Sequence, residues 1–479
     1  MRTKAAIAPA QSRQCRVRCK RIRIPASRAA VSEVFSQLPS ASILGGNIAS
    51  AWGKGWSYWA AEPKAILKFR SGESRPFRKF EKVLAAYRLA DDCSAELPKG
   101  TFCGGWIGYF GYELGRYIEE LPATTVDELD TPLIRLAFYD RFIAYDSHNG
   151  IFRIVALEMP DDSESPDEKI ATLEFHLRRA QEIAVADARR VDIERLDLSN
   201  AACNITKEQY LDAVKQIKCS IRDGDVYQVN FARRLRERFA GRPIELFHWQ
   251  NRYNPSGYAA YLDAGSFHVV SASPEMFISI EDGIIRTRPI KGTRPRIGTA
   301  GPEADKINAV NREELLTSSK EQAELNMIID LERNDLARIC APGTRHVTQP
   351  RTIEAHPTVF HAAATIAGTL RKDVTFSDVL RATFPGGSIT GAPKIRAMEI
   401  IDALEPTTRG LYTGSIGYIG IDGTVRLNIA IRTIMIAGSN AFVHTGGGIV
   451  ADSDPEAEWQ ETVVKARALL AGIRAINES

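Results

Sequence analysis

Arg288-Pro289-Ile290-Lys291-Gly292-Thr293-Arg294-Pro295-Arg296 sets one lysine between a proline-fixed approach and a glycine, inside a segment dense in arginine. Lysine is a nucleophile only after its ammonium loses a proton, and neighbouring cations and partial burial both push it that way. Arg288, Arg294 and Arg296 supply cations, and their guanidinium forks also match carboxylates. Read alone, the segment is equally a solvated basic turn. Its meaning depends on the clusters around it.

Upstream, Ser271-Ala272-Ser273-Pro274-Glu275 presents one carboxylate after a strand-like run. Downstream, Ala323-Glu324-Leu325-Asn326-Met327-Ile328-Ile329-Asp330-Leu331-Glu332-Arg333-Asn334-Asp335 reads as an apolar helix interrupted by charges. Pro385-Gly386-Gly387-Ser388-Ile389-Thr390-Gly391-Ala392-Pro393-Lys394 is a glycine-rich approach to a helix, open to an anion or to a plain turn. It lacks the GxxxxGK[ST] spacing, so nucleotide is not implied. Gly446-Gly447-Gly448 precedes a helix carrying Glu458 and Glu461, which share one face at a spacing of three. Magnesium favours a few carboxylates completed by substrate oxygens and water.

The surrounding chain sets the limits. With 479 residues, 44% hydrophobic and 25% charged, it has room for about two to four domains of ordinary size. A net charge of +3 gives no case for nucleic acid. No apolar run approaches the roughly 18 residues that span a bilayer. Seven scattered cysteines with no CxxC pair point to reduced thiols in a cytoplasmic compartment. Residues 1–20 are basic and read as a disordered start, running into a first strand at Arg21-Ile22-Arg23-Ile24-Pro25. An N-terminal region over 21–195 and a second domain over 203–477 follow. Expected strands include Trp56–Ala61, Gly104–Tyr112, Ile134–Tyr139, Phe142–Asp146, Ala259–Leu262, His268–Ser271 and Ile429–Ile434. Helices are expected over about 168–189, from Thr206 to Arg222, and over 311–333, 394–403 and 455–476. This irregular alternation argues for α+β.

Taken in order, the clusters resemble the chorismate-utilising enzymes: component I of anthranilate synthase and of aminodeoxychorismate synthase, isochorismate synthase and salicylate synthase. The match extends to Asp223-Gly224-Asp225-Val226-Tyr227-Gln228-Val229-Asn230, to Gly414-Ser415-Ile416-Gly417-Tyr418 and to Ile431-Arg432-Thr433. The resemblance implies a two-sheet β-sandwich flanked by helices, with the site between the sheets. Glu275 matches the general acid, Lys291 a nucleophile and His361 a histidine beside the leaving group. Glu324 and Glu461 match Mg2+ ligands, with Glu458 beside them. Arg432, Tyr418 and the N–H groups of Gly446, Gly447 and Gly448 match carboxylate binders, and Thr293 and Lys465 also match the substrate site. Around His361 the chain reads His-Ala-Ala-Ala-Thr, where relatives usually have His-Leu-Val-Ser.

Two positions bear on the branch. Members that add water place a lysine where this chain has Gln228, whereas ammonia-using members carry glutamine. Anthranilate synthases typically have alanine at the position of Lys291, and aminodeoxychorismate synthases lysine. The resemblance therefore implies the aminodeoxychorismate branch, with anthranilate formation as the alternative. No Gly-x-Cys-x-Gly elbow is present, so ammonia is expected from a separate glutamine amidotransferase subunit. Asn254-Pro255-Ser256-Gly257-Tyr258 resembles part of the tryptophan inhibitor site of anthranilate synthases. Gly257 departs from the usual proline, and the rest of that site matches poorly, so the segment reads as packing between sheets.

Overall fold

The computed structural model describes residues 12–478 apart from 49–50, 53–54, 91–96, 187–188, 194, 199–200, 299–300 and 357–358. Residues 1–11 of the basic start and Cys93 lie outside the described residues. Among the described residues the strands assemble into two sheets of 13 and 10 strands. From edge to edge the larger runs Ala202–Cys203, Gln228–Arg238, Asn440–Ile449, Thr433–Ala437, Phe267–Ser273, Tyr258–Asp263, Ser42–Leu44, Trp56–Ala60, Arg141–Asp146, Ile151–Glu158, Arg13–Ile22 and Tyr87–Leu89. The smaller runs Ile290–Pro295, Val359–Thr369, Ile284–Arg288, Met276–Glu281, Val425–Asn428, Ser415–Gly420, Gly105–Phe110, Ile134–Tyr139 and Ala65–Phe69. Gly391–Ala392 and His346–Ala355 pair off these paths. The fold is α+β, two sheets flanked by helices.

Burial explains the layering. One core lies between the sheets, where Tyr58, Phe102, Phe142 and Tyr418 meet ring to ring. A second lies on the outer face of the larger sheet, under the helices Arg28–Ser36, Pro166–Arg179, Pro243–Tyr253 and Pro455–Asn477. A third joins the helices Lys207–Arg222 and Lys394–Leu404 to the strand Gln228–Arg238. Both sheets take strands from both expected regions, so 21–195 and 203–477 share their sheets. No helix of the described residues is long and apolar enough to cross a membrane.

Four expectations change. The first strand begins at Arg13, not Arg21, because Cys15 and Val17 turn inward and Arg16–Ile22 pair with Phe152–Glu158. The stretch 13–20 is thus ordered sheet. The helix from 168 ends at Arg179, followed by a short 3-10 turn over Ala180–Glu182. The helix expected over 311–333 is two, Pro302–Thr317 and Ser319–Ala337. Ser318 breaks them, with an extended ψ of 108° and a side chain that accepts from Glu321 N. Finally, Ile429–Arg432 is not strand, since Arg432 has φ of +48° and the strand resumes at Thr433. The Thr206 start holds: its hydroxyl accepts from Gln209 N at 3.2 Å in a capping box.

Within Asn254–Tyr258, Tyr258 joins the core between the sheets, while the Asn254 amide donates to Ala468 O of the helix Pro455–Asn477 at 2.8 Å. The Trp52 indole meets the Tyr258 ring edge-on at 5.1 Å and donates to Ala259 O at 2.8 Å.

Candidate active site

Two strands pass from one sheet to the other at the same place. Phe267–Ser273 crosses through Pro274-Glu275 into Met276–Glu281, and Val425–Asn428 crosses through Ile429–Arg432 into Thr433–Ala437. The crossings are tied by Ile429 N to Glu275 O and by Ala272 N to Arg432 O, both 3.0 Å. Sheet-changing backbone cannot continue a regular ladder, so it is free to aim side chains into the gap between strands. Glu275 is one of these and is 5% exposed. Its Oε1 accepts from Ile290 N at 3.4 Å, and the Ser388 hydroxyl lies against it. Burial pushes its pKa up, while Ser388, Lys291 and Arg288 pull it back. A carboxyl so placed can hold a proton for a leaving group.

Lys291 faces Glu275 from the edge strand Ile290–Pro295. The strand bulges at Gly292, whose φ is +89° and whose missing Cβ would meet Leu315 Cδ1 at 2.7 Å. Lys291 Nζ donates to Ser388 O at 3.3 Å. Its side chain keeps some contact with water but sits deep in the cleft, and burial lowers its pKa. Glu275 and Glu324 oppose that shift, and Lys465 adds to it. The arginines of the segment act less than the sequence implies. Arg294 is held by Glu321 at 2.8 Å, Arg296 by His356 O at 2.9 Å, and Arg288 pairs with Glu354.

The glycine strand forms the facing wall. Asn230 N, Ala232 N and Arg234 N bond away from it, to Thr390 O, Glu405 Oε1 and Asn204 Oδ1. Their cross-strand partners Gly448, Gly446 and His444 therefore turn their own N–H groups the opposite way, since antiparallel pairs alternate. The next strand pairs only with Asn440–Val443, so on that side Gly446 and Gly448 present backbone to the cleft. Gly447 does not, because its N–H belongs to the ladder with Phe231. Its role is space: a Cβ there would lie 2.8 Å from Glu458 Oε2 and 3.9 Å from Glu461 Oε1. Gly447→Ala is accordingly expected to lower activity by roughly 10-fold or more while the melting temperature changes little, read by steady-state rates and calorimetry.

Glu458, 9% exposed, accepts from Ser453 Oγ at 2.6 Å, and burial raises its pKa. Glu461 pairs with Lys465 at 2.6 Å, and Lys465 also donates to Gly446 O at 2.8 Å. Glu324, on the helix Ser319–Ala337, is raised by burial and feels the charges of Lys291, Lys320, Glu321 and Glu461. Among the described residues no three metal-type side chains converge tightly enough to hold an ion unaided. Hard carboxylate oxygens beside the space left by Gly447 do fit a cation that takes two or three carboxylates and completes its shell elsewhere.

Gln228 is fully buried, neither atom of its amide has a partner among the described residues, and it lies against Gly448. An unpaired buried amide is costly unless a ligand satisfies it. His361 is 2% exposed, and among the described residues neither ring nitrogen has a partner. Burial, with Arg432, His356 and Arg288 nearby, pushes its pKa to about 3, so it is neutral at physiological pH and offers a hydrogen bond, not a charge. Among the described residues the Arg432 guanidinium has no hydrogen-bonded or ionic partner, and its side chain is open to water. One expectation does not hold. Tyr418 lies in the inter-sheet core, 0% exposed, with its hydroxyl on Trp52 O at 2.8 Å. Thr293 is exposed and is the cross-strand partner of His361, so the two side chains share one face of the sheet. The Pro385–Lys394 loop is no open anion nest either. The Thr390 hydroxyl bonds Gly386 O at 2.9 Å, and Lys394 pairs with Asp335 at 2.7 Å. Sequence reading missed Ser388, which touches both Lys291 and Glu275, and Lys320, whose charge acts on Glu324 and Glu458.

The sequence profile of the family described as chorismate binding enzyme matches residues 48–471. The chain belongs to that family. It is 39% identical over 387 residues to anthranilate synthase component 1 of Pseudomonas aeruginosa, covering 80% of this chain and 77% of that one. It is 35% identical over 433 residues to aminodeoxychorismate synthase component 1 of Bacillus subtilis, covering 88% and 89%. The solved structure of anthranilate synthase component I from Streptococcus pneumoniae matches with a TM-score of 0.73 at 30% identity, over 86% of this chain and 92% of that one. Relatives of both kinds thus flank this chorismate binding enzyme, and the choice between them falls to individual residues.

Proposed function

We propose that this chorismate binding enzyme is component I of an aminodeoxychorismate synthase, converting chorismate and ammonia to 4-amino-4-deoxychorismate. The observation that carries the reading is Lys291, deep in the cleft, with its pKa lowered by burial and Glu275 facing it. Anthranilate formation puts nitrogen on ring carbon 2 and needs no nucleophile from the protein. Aminodeoxychorismate formation returns nitrogen to carbon 4, and two successive allylic displacements achieve that. Neutral Lys291 Nζ bonds to carbon 2, the ring double bond shifts, and the carbon 4 hydroxyl leaves as water with the proton of Glu275. Ammonia then bonds to carbon 4, the double bond shifts back, and the carbon 2–lysine bond breaks. The surplus proton on the incoming nitrogen restores Glu275.

The other residues bind and orient. Arg432, Lys465 and the N–H groups of Gly446 and Gly448 meet the two carboxylates of chorismate, and His361 hydrogen-bonds near the departing hydroxyl as a neutral ring. Gln228 lends its amide to the incoming nitrogen and cannot take a proton from water, which disfavours the hydroxylating chemistry. Glu324 and Glu461, with Glu458 beside them, would hold a magnesium ion, which would supply a positive centre for the ring carboxylate. Dialysis against a chelator is expected to abolish turnover and magnesium to restore it, and Glu461→Gln to raise the magnesium requirement by roughly 10-fold or more in a metal titration. Ammonia comes from a separate glutamine amidotransferase subunit. Cys103 supports this, because burial pushes its thiol up, away from the thiolate a glutaminase needs.

The test is intact-mass spectrometry of the chain quenched with chorismate and no ammonia. An adduct of chorismate less one water, mapped to Lys291, is expected. Full turnover with ammonia and no adduct under any quench contradicts the covalent route. The second reading, anthranilate synthase component I, is favoured by the higher identity to the Pseudomonas relative.

A further inference from the structure

Eight residues along the helix from Glu324 stands a carboxylate that this mechanism leaves unused, Glu332. It is 8% exposed, and its Oε2 accepts from Thr287 Oγ1 at 2.7 Å. Thr287 lies four residues before Lys291, on the strand leading into it. Glu332, Thr287, Asp335, Thr383, Gly386 and Gly387 line a small cavity of about 10 Å³, room for a single water. Gly387 precedes Ser388, itself 6% exposed, whose hydroxyl lies against the Glu275 carboxyl and has no partner in good hydrogen-bond geometry. The two carboxyls are close enough for charge on Glu275 to disfavour charge on Glu332. The charged groups facing Glu332 are Glu275, Asp335 and Lys394, the last two paired with each other, and those facing Glu275 include Lys291 and Arg288.

We propose that Glu332 is a proton-holding positioning residue for Glu275, exchanging a proton with it through the cavity and the Ser388 hydroxyl. This rests on the general-acid role proposed for Glu275. Burial raises Glu332 to about 8, so it carries a proton at neutral pH, and the Thr287 hydroxyl on Oε2 leaves Oε1 to hold it. When Glu275 has protonated the departing hydroxyl, the O–H bond on Glu332 breaks as one forms on Glu275. Glu332 is left as a carboxylate facing Lys394. The proton released by the incoming nitrogen returns along the same route, so the cycle needs no external acid.

Two variants separate proton storage from simple structure. Glu332→Gln keeps an acceptor for Thr287 and removes the exchangeable proton. Thr287→Val removes the hydrogen bond and keeps the carboxyl. Rates are measured against pH at constant free ammonia. The parent enzyme is expected to lose activity on the alkaline side around pH 8, as Glu332 ionises. Glu332→Gln should lower kcat roughly 10-fold, leave KM within about twofold, and lose the part of that limb set by Glu332, keeping only the fall set by Glu275. Thr287→Val should keep the limb and move it to higher pH, because the hydrogen bond it loses favoured the carboxylate. Superimposable parent and Glu332→Gln profiles overturn the proposal, and so does a Thr287→Val profile that lacks the limb. Infrared titration without substrate gives a readout independent of turnover. The carboxyl band identified by its loss in Glu275→Gln should titrate at a different pH in Glu332→Gln. An unchanged titration overturns the pairing, whereas an absent aminated product with a shifted band counts only against the proposed reaction.

Discussion

Lys291→Ala lowers formation of 4-amino-4-deoxychorismate by roughly 10³-fold or more, with chorismate binding retained. On the covalent route proposed above the loss is large because the lysine bonds to the substrate and the neighbouring arginines cannot replace it. Arg288, Arg294 and Arg296 are already held by Glu354, Glu321 and His356 O. Removal of Nζ also frees Ser388 O and empties the space facing Glu275, so ammonia can reach carbon 2 directly. A trace of fluorescent anthranilate is therefore the expected side product, resolved by chromatography. A variant that makes the parent's product at the parent's rate removes the covalent role.

Glu275→Gln costs roughly 10²- to 10⁴-fold in kcat, the usual worth of a general acid. Glutamine keeps the acceptor for Ile290 N and the bulk in the crossover, so binding and fold should persist. What it loses is a proton to give. The pH dependence follows from two opposed directions. Burial lowers Lys291, so neutral amine appears at lower pH than for free lysine, and activity rises as pH climbs through that ionisation. Burial raises Glu275, so the acid form survives to higher pH than for a free carboxyl, and activity falls once that proton is lost. The profile should be bell-shaped at constant free ammonia. Glu275→Gln turning over within a few-fold of the parent would sink the assignment.

The sandwich and most of the cleft were legible because long stretches of motif carry them. The acid, the lysine, the carboxylate helix and the glycine strand converge as the sequence order implies. What stayed hidden depended on register and distant partners. All six residues of Ser415–Gly420 are buried, so alternation cannot say which face Tyr418 takes, and it takes the core. Only the ladder with Gln228–Arg238 shows that Gly446 and Gly448 offer N–H groups while Gly447 offers space. The arginines beside Lys291 looked like its cations until their partners, 27 to 66 residues away, appeared. Ser388 was in view inside a quoted loop, but nothing local marks it as the residue that touches both acid and lysine.

The most direct measurement is a product assay of the purified chain with chorismate, magnesium and ammonium salt at mildly alkaline pH, with and without added aminodeoxychorismate lyase. The account predicts an amino-enol product that the lyase converts to 4-aminobenzoate. Fluorescent anthranilate as the main product without lyase would contradict it and assign the chain to the other amination.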